Sequence, residues 1–305
     1  MNVGLDIADT TVSRESVSPF HQFKSEFRES RVAVAAFIVL LAIVLVAALA
    51  PWISPQDPYD LTQLNIRDAR LPPGASGSQG TTYWLGTDDQ GRDMLSAILF
   101  GLWTSILVGA ISGAIALAIG ISVGLVGAYY KGLLDSLLMR LVDIQLGFPP
   151  LLVAIILIAV TGPGFEKVIA ALIVAQWAFY ARTVRAVALV EQGREYIEAA
   201  EGLGLNKARI RFRHLLPNCL PPLIVVAMVQ IAHAILLEAT LSFLGVGLPI
   251  TEPSLGLLIA NGYEYIFSGR YWISFYPGVA LLILILSINL VGDQLRDILN
   301  PRLRR

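Results

Sequence analysis

The sequence contains few of the residues that build metal sites, disulfides and nucleotide sites. Its one cysteine, Cys219, has no second cysteine for an internal disulfide, and we expect it to be a small buried residue. The three histidines, His21, His214 and His233, lie at spacings that form no zinc motif. No segment matches G-x-x-x-x-G-K, so the chain has no P-loop of its own. We therefore expect no metal, no cofactor, no catalytic residue and a protein that is not an enzyme by itself.

Charged residues are also scarce, which excludes an ordinary soluble domain. Only 15% of the 305 residues are charged, whereas 55% are hydrophobic. This composition indicates an integral membrane protein. The net charge of −1 says little, because the positions of the charges matter more than their sum in such a protein.

Six apolar segments are long enough to cross a membrane, for which a helix needs about 20 residues. The third segment contains Arg140, Asp143, Pro149 and Pro150, so we expect its first part to be kinked or to lie near the interface. The sequence therefore predicts an all-α polytopic membrane protein with six transmembrane helices, over residues 32–53, 102–130, 138–160, 167–190, 221–246 and 275–295.

The basic residues predict how these helices are oriented. If both termini are cytosolic, 17 of the 22 basic residues face the cytosol. The five on the outer side are Arg67, Arg70, Arg92, Lys167 and Arg270. The positive-inside rule strongly favours this topology. Residues 1–31 and 296–305 then form cytosolic tails, and we expect no cleaved signal peptide, because Pro51 directly follows the candidate cleavage site.

Residues 195–218 form the one long polar insert in the C-terminal half, within a predicted loop over 191–218 of the 102–295 core. Small side chains at Ala200, Gly204 and Ala208 lie roughly on one helical face with Ile197. Gly204 predicts a left-handed turn, and Asn206 can cap a second helix. That helix carries Lys207, Arg209, Arg211 and Arg213, and we expect Pro217, Pro221 and Pro222 to end it before the next span. The sequence predicts a cationic helix-turn-helix in water.

Three features of this insert carry a resemblance to a known family. Glu198-Ala199-Ala200, then Gly204 and Leu216-Pro217, resemble in order and spacing the EAA loop of inner-membrane permease subunits of ATP-binding-cassette importers. His214 departs from the broad pattern, but the run 213–218 resembles the dipeptide, oligopeptide and nickel branch. The resemblance implies the type I importer permease fold, in which this loop is a coupling helix. The implied docking residues are Glu198, Ala199, Ala200, Gly204, Asn206 and Arg209.

The outer segment 54–101 is rich in Asp, Pro, Gly and Ser, so we expect an irregular surface loop. Near its end, Thr87 and Gln90 have capping-box spacing and predict an interfacial helix before the second span. The acidic residues fit no calcium loop. The run LGTDDQGRD, residues 85–93, also resembles the peptide and nickel branch, although Ala97 and Trp103 stand where that branch usually has arginines.

Polar residues in the fifth and sixth spans are candidates for a translocation path. Ionisable groups at membrane depth are costly unless they face protein or a water-filled path. Glu238 could line that path or only hold neighbouring helices together by hydrogen bonds. The resemblance places Glu238 on the helix that lines the path between two permease subunits. The candidate path residues are Gln230, His233, Glu238 and Asn289, whereas Asp293 and Asp297 are expected to pair locally with Arg296.

The second span has small residues at close intervals, which predicts tight packing against another helix. They include Gly109, Gly113, Gly120 and Gly124. Residues 120–124 also match G-x-S-x-G, but a serine hydrolase needs that motif on a strand-to-helix elbow. We therefore set hydrolase activity aside.

The resemblance further implies the partners. A permease of this branch lies in the bacterial cytoplasmic (inner) membrane, in contact with lipid, and pairs with a second homologous permease. Two cytosolic subunits bind ATP and Mg, and an extracytoplasmic substrate-binding protein delivers the cargo. Short peptides are the first expectation, with nickel complexes, opines or glutathione as alternatives. No nucleic-acid partner is expected.

An independent, proton-coupled secondary carrier is the alternative from another class. In that case Glu238 and His233 would form a proton relay. Such carriers often contain inverted repeats, and no clear internal repeat is visible here. Uptake that depends on ATP would indicate the importer. Uptake that is lost when a protonophore dissipates the proton gradient would indicate the secondary carrier.

Overall fold

The computed structural model describes residues 19–130 and 132–299, which form a bundle of long helices. The predicted tail residues 1–18 and 300–305, and Lys131, lie outside the described residues. Within that part, five helical runs are long and apolar enough to span a membrane: Arg31–Ala48, Met94–Tyr130, Phe165–Gln192, Lys207–Phe243 and Trp272–Leu299. A bent pair of helices, Leu133–Leu146 and Pro150–Thr161, brings the number to six if the pair is one span.

The twelve helices of the described residues are named in chain order. The first six are α1 (Pro19–Glu29), α2 (Arg31–Ala48), α3 (Ala50–Ile53), α4 (Met94–Tyr130), α5 (Leu133–Leu146) and α6 (Pro150–Thr161). The others are α7 (Phe165–Gln192), α8 (Glu195–Gly202), α9 (Lys207–Arg209), α10 (Leu216–Phe243), α11 (Leu255–Tyr263) and α12 (Trp272–Leu299). Short 3-10 turns cover Leu61–Gln63, Ile66–Asp68 and Ile266–Ser268. A two-stranded antiparallel sheet pairs β1 (Ala75–Ser76) with β2 (Thr82–Tyr83).

The kink predicted for the third span is confirmed. Helices α5 and α6 meet at 86°, because Pro149 cannot continue the first helix and Pro150 begins the second. Large apolar side chains such as Leu137, Ile156 and Val160 lie exposed along both helices. A helix that faces lipid or a partner subunit carries such a surface.

The predicted tight packing of the second span is also confirmed. Helix α4 lies directly against α7, and a Cβ atom added at Gly124 would approach the carbonyl oxygen of Ala181 to 2.7 Å. A Cβ atom added at Gly120 would come still closer to the Cβ atom of Tyr180. Only glycine at these positions lets the two backbones come this near.

The predicted break before the fifth span is wrong. Helix α9 passes through a π-helical turn, Ile210–Leu215, directly into α10, so the three make one continuous run, and Pro221 and Pro222 lie inside α10. Prolines inside a helix are tolerated in membrane proteins, where local π or 3-10 adjustments and neighbouring groups can satisfy the freed backbone acceptors.

The predicted irregular loop before α4 is folded. The hydroxyl of Thr87 accepts from the backbone N–H of Leu71 at 2.7 Å and donates to the carbonyl oxygen of Asp68. Thr87 therefore does not cap a helix, and the helical residues 94–101 that precede the predicted second span are the first part of α4. Asp93 begins α4 instead, because its Oδ2 accepts from the backbone N–H of Ser96 at 2.8 Å.

The two ends of the bundle carry different structures. Residues 54–93, α11 and the start of α12 lie at one end, where the Trp272 indole donates to the carbonyl oxygen of Thr87 at 3.2 Å. Helix α8, the start of α2 and the end of α12 lie at the other. Helix α1 contacts α12 there, since Gln294 Nε2 donates to the carbonyl oxygen of Glu26 at 3.4 Å. We call these the loop end and the α8 end.

Candidate functional site

The local geometry of the candidate coupling segment, residues 195–209, agrees with the sequence. Helix α8 ends before Gly204, which has a left-handed φ of 69°. Asn206 then caps the next helix, because its Oδ1 accepts from the backbone N–H of Ala208 at 2.9 Å. A β-carbon at Gly204 would meet nothing within 4 Å, so the turn is open to solvent. Its conformation, and not its packing, requires glycine.

Helix α8 has one face on the bundle and one face in water. Ile197 and Ala200 are buried with Leu125 of α4 and Leu215 of the π turn. The other predicted docking residues, Glu198, Ala199, Gly204, Asn206 and Arg209, are exposed. Ala200 thus lies apart from them, and its side chain packs α8 onto its own chain. The turn also separates Gly204 and Ala208 from the buried face that they were predicted to share.

Aromatic rings at the end of α4 attach the coupling segment to the bundle. The Arg211 guanidinium carbon lies 4.6 Å from the ring centroid of Tyr129 and 5.3 Å from that of Tyr130. The ammonium of Lys207 lies 5.8 Å from the Tyr129 centroid. Cation–π contacts of this kind are attractive. The sequence analysis missed both tyrosines, although an aromatic pair at the end of an apolar run was a usable signal.

A second attachment joins α8 to the end of α7. The Tyr196 hydroxyl donates to Glu191 Oε2 at 2.9 Å, and Arg194 Nε lies 3.6 Å from Glu191 Oε1. Burial, together with the hydrogen bond to this carboxylate, raises the pKa of Tyr196 to about 12. The tyrosine therefore remains a hydrogen-bond donor at neutral pH.

Ion pairs at the α8 end join α5 to α7. Arg185 binds Asp135 at two points, Nε to Oδ1 and Nη2 to Oδ2, both at 2.6 Å. Arg182 pairs with Asp143 nearby. Two-point guanidinium–carboxylate contacts fix the orientation as well as the distance of the two helices. These ion pairs therefore hold α5 in a defined position against α7.

The candidate path residue Glu238 is fully buried between helices. Ser105 of α4 donates its hydroxyl to Glu238 Oε2 at 2.9 Å, and Ser242 donates to Oε1 at 2.8 Å. The carboxyl group thus bridges α10 to α4 and does not reach the surface of the chain. Ser105 was the partner that the sequence analysis did not identify, because the two residues are 133 positions apart.

The other candidate path residues do not join Glu238. His233 is exposed on α10 and lies about 140° around the helix from Glu238. No hydrogen bond connects the two in the described part of the chain. The structure therefore separates the two groups of the predicted proton relay. Gln230 is buried and borders a cavity of about 650 Å³, whereas Asn289 is half-buried on α12 outside its lining.

The local ion pairs expected for Arg296 are not formed. Within the described ranges 19–130 and 132–299, no oxygen of Asp293 or Asp297 lies within 4.0 Å of a nitrogen of Arg296. Asp293 and Arg296 instead both border the cavity beside Gln230. This cavity brings together one predicted path residue and two residues that were predicted to have only a local role.

Long apolar helices with an exposed α8 at one end are the architecture of a multi-pass membrane protein. In agreement, the chain belongs to the family described as binding-protein-dependent transport system inner membrane component, whose model matches residues 116–305, more than half of the chain. The model for the N-terminal TM domain of oligopeptide transport permease C matches residues 18–73. The chain is thus a multi-pass permease subunit of an ABC importer, a family that works with ATPase and binding-protein partners.

Several curated relatives resemble the chain over most of its length. The dipeptide transport system permease protein DppC of Haemophilus influenzae is 36% identical over 98% of this chain and 100% of its own. The di/tripeptide transport system permease protein DppC of Pseudomonas aeruginosa is 37% identical over 94% and 93%. A putative peptide transport system permease protein of Brucella suis is 41% identical over 88% and 86%.

A solved structure supports the fold. A chain of the MetNI methionine ABC transporter, in inward-facing conformations, matches with a TM-score of 0.57 and 24% identity. The match covers 67% of this chain and 97% of the other. At this identity the similarity shows the type I importer permease fold alone.

Proposed function

We propose that this chain is the permease subunit of an importer for di- and oligopeptides, which pairs with a second homologous permease in the bacterial inner membrane. The full-length similarity to curated peptide permeases supports this cargo. Two cytosolic subunits bind ATP and Mg and hydrolyse ATP, so the chain itself needs no cofactor and catalyses no reaction. An extracytoplasmic binding protein delivers the peptide. Nickel complexes, opines and glutathione remain the alternative cargos for uptake measurements.

One observation carries the proposed coupling role: α8 is anchored on one face and free on the other. Ile197 and Ala200 hold the helix in a buried cluster with residues of α7 and the π turn, and Glu198, Ala199 and Gly204 remain exposed for an ATPase cleft. When the ATPase subunits close on ATP, α8 moves with them. The buried face and the ion pairs between α5 and α7 then transmit this motion to the bundle. The ATPases act by binding α8 differently in two states.

Substitution of the turn tests this docking surface. We expect Gly204→Trp to leave the subunit folded in the membrane but to abolish peptide uptake and co-purification of the ATPase subunits. Gly269→Trp is the matched control, because Gly269 also has a left-handed φ, 76°, with nothing within 4 Å, and lies at the loop end. The control should retain the ATPase. Normal uptake by a normally expressed Gly204→Trp variant would remove the docking role.

The proposed orientation places the α8 end and both termini in the cytosol. Single introduced cysteines test it. The native Cys219, which is buried, is first replaced by serine so that each introduced cysteine is the only thiol. Leu203 is 79% exposed at the α8 end, and Phe267 is 96% exposed at the loop end. We expect an impermeant thiol reagent added outside intact cells to label Phe267→Cys and not Leu203→Cys. The opposite labelling pattern would reverse the orientation.

The partners and the energy source have their own tests. Gentle purification of the tagged chain from its native membrane should recover a second permease and P-loop ATPases in comparable amounts. Uptake should depend on ATP and persist with a protonophore while ATP is maintained. Recovery of the chain alone, with uptake that the protonophore abolishes, would favour the secondary carrier.

A further inference from the structure

The cavity beside Gln230 lies within this single subunit. It lies between α7, α10 and α12 towards the α8 end of the bundle, and its volume is about 650 Å³. Known small-molecule sites have volumes of the same order, about 300–1,000 Å³. Valine side chains of α10, including Val226 and Val229, form an apolar wall. The cavity therefore has the size and the mixed lining of a site for a small amphipathic molecule.

Two opposite charges border this cavity without neutralising each other. Asp293 and Arg296 of α12 both line it. Neither side chain forms an ion pair or a hydrogen bond with another residue in the described part of the chain. Glu191, the third charged residue of the lining, is already held by Arg194 and Tyr196. One carboxylate and one guanidinium thus remain available to a ligand.

Polar groups deeper in the cavity extend this arrangement. The side-chain amide of Gln230 lines the cavity and forms no hydrogen bond with the described residues. Its backbone carbonyl accepts from Gln176 Nε2 at 3.5 Å, which fixes this turn of α10. An amide can both donate to and accept from a peptide group. The cavity therefore offers a cation, an anion, an amide and an apolar wall.

We propose that this cavity binds a zwitterionic short peptide, with its ammonium on Asp293, its carboxylate on Arg296 and its peptide group on Gln230. This inference rests on the proposed peptide cargo and on the proposed orientation, by which the α8 end faces the cytosol. The spacing fits a dipeptide: side chains three residues apart on a helix have Cβ atoms about 5–6 Å apart, and two extended residues span at most about 7 Å. The site holds released cargo on the cytosolic side.

Binding to the complete transporter tests the site. The complex, without its binding protein, is placed in nanodiscs of phosphatidylglycerol, and binding of a radiolabelled alanyl-phenylalanine is measured. We expect Asp293→Asn and Arg296→Gln each to weaken binding tenfold or more. Asp297→Asn is the matched control, because Asp297 is exposed on the same helix but does not line the cavity. Equal loss in all three variants would overturn the site.

Modified peptides keep the chain intact and so avoid any effect on folding. N-acetylation removes the ammonium and should weaken binding to the unmodified transporter as much as Asp293→Asn does. Acetylated peptide should then bind Asp293→Asn no more weakly than it binds the unmodified transporter, because the interaction is already lost. Additive losses would overturn the assignment of the ammonium to Asp293.

Other outcomes separate this inference from the proposed function. Normal peptide uptake with no Asp293-dependent binding would overturn the cavity site and leave the importer standing. Phosphatidylethanolamine, whose headgroup also combines an ammonium with an anion, would overturn the peptide assignment if it competed at the site in place of the peptide. Import of another cargo class, with no peptide uptake, would overturn the proposed function and this inference together.

Discussion

The guanidinium of Arg211 lies over the ring of Tyr129, 4.6 Å from its centroid, and so joins the helical run after α8 to the last turn of α4. The two residues are far apart in the sequence and lie on different spans. Arg211 is half-buried, whereas its neighbour Arg213 is exposed. Arg211 thus packs against α4, in addition to being one of the basic residues that predict the topology.

Loss of this contact should loosen the coupling segment. We expect Arg211→Gln to raise the rate of amide hydrogen exchange in residues 195–209, because a cation–π contact at an exposed site is worth about 0.5–1 kcal/mol. Arg213→Gln removes the same charge and has no such contact, so it should exchange as the unmodified chain does. Hydrogen exchange with mass spectrometry on the reconstituted transporter makes the comparison. Equal exchange in both variants would show that the contact does not hold the segment.

Local rules were sufficient for some features of the fold and of the candidate site. Gly204 adopts the predicted left-handed turn and Asn206 the predicted cap, because both depend on the nearest few backbone groups. The positions of the apolar segments and the kink at Pro149 also follow from local composition, although the helical runs Met94–Tyr130 and Lys207–Phe243 begin well before the predicted spans.

The features that the sequence analysis missed depend on distant partners. Thr87 has the spacing of a helix cap, but its hydroxyl instead bonds to the backbone of Asp68 and Leu71, so the cap falls on Asp93. The prolines at the start of α10 predicted a break, but the helix runs through them from a preceding π turn. The partner of Glu238 could not be read from a single sequence, because any of several polar residues on other helices could have reached it.

The contact between α4 and α7 should be sensitive to a single methyl group. We expect Gly124→Ala to destabilise the subunit by about 1–3 kcal/mol, because the new Cβ would overlap Ala181 and Val184. Gly278→Ala is the matched control, since nothing lies within 4 Å of a Cβ there. Thermal denaturation of the detergent-purified complex should show an earlier transition for Gly124→Ala alone. An unchanged transition would mean that the helices can separate without cost.

The loop end should lose stability as the pH rises. Burial raises the pKa of Asp88 from 3.8 to about 6, although its Oδ1 accepts from the N–H groups of Gln90 and Arg92. Because the folded protein binds this proton more readily than the unfolded chain does, the folded loop is favoured at low pH. We expect up to about 3 kcal/mol to be lost between about pH 4 and pH 6, and no further loss above that range.

Hydrogen exchange of residues 60–93 from pH 4 to 7.5, corrected for intrinsic exchange rates, measures this effect. Asp88→Asn keeps the oxygen that accepts both N–H groups and should reduce the pH dependence, whereas Asp89, whose pKa is also raised by burial, keeps its own contribution. Asp60→Asn should not reduce the pH dependence, because hydrogen bonds from Thr62 and Gln63 lower the pKa of Asp60 and place its titration below this range. The same slope in Asp88→Asn as in the unmodified protein would assign the titration to another group.

Glu238 should act through its hydrogen bonds and not through proton transfer. Its carboxyl group accepts from Ser105 and Ser242 in a fully buried position, and His233 lies on another side of α10. A glutamine can accept from one serine and donate to the other, so we expect Glu238→Gln to retain the fold and ATP-dependent peptide uptake. Glu238→Leu leaves both hydroxyls without this partner and should destabilise the subunit by about 1–3 kcal/mol. Thermal denaturation and uptake assays on both variants test the assignment, and a folded Glu238→Gln subunit that transports nothing would return Glu238 to the translocation path.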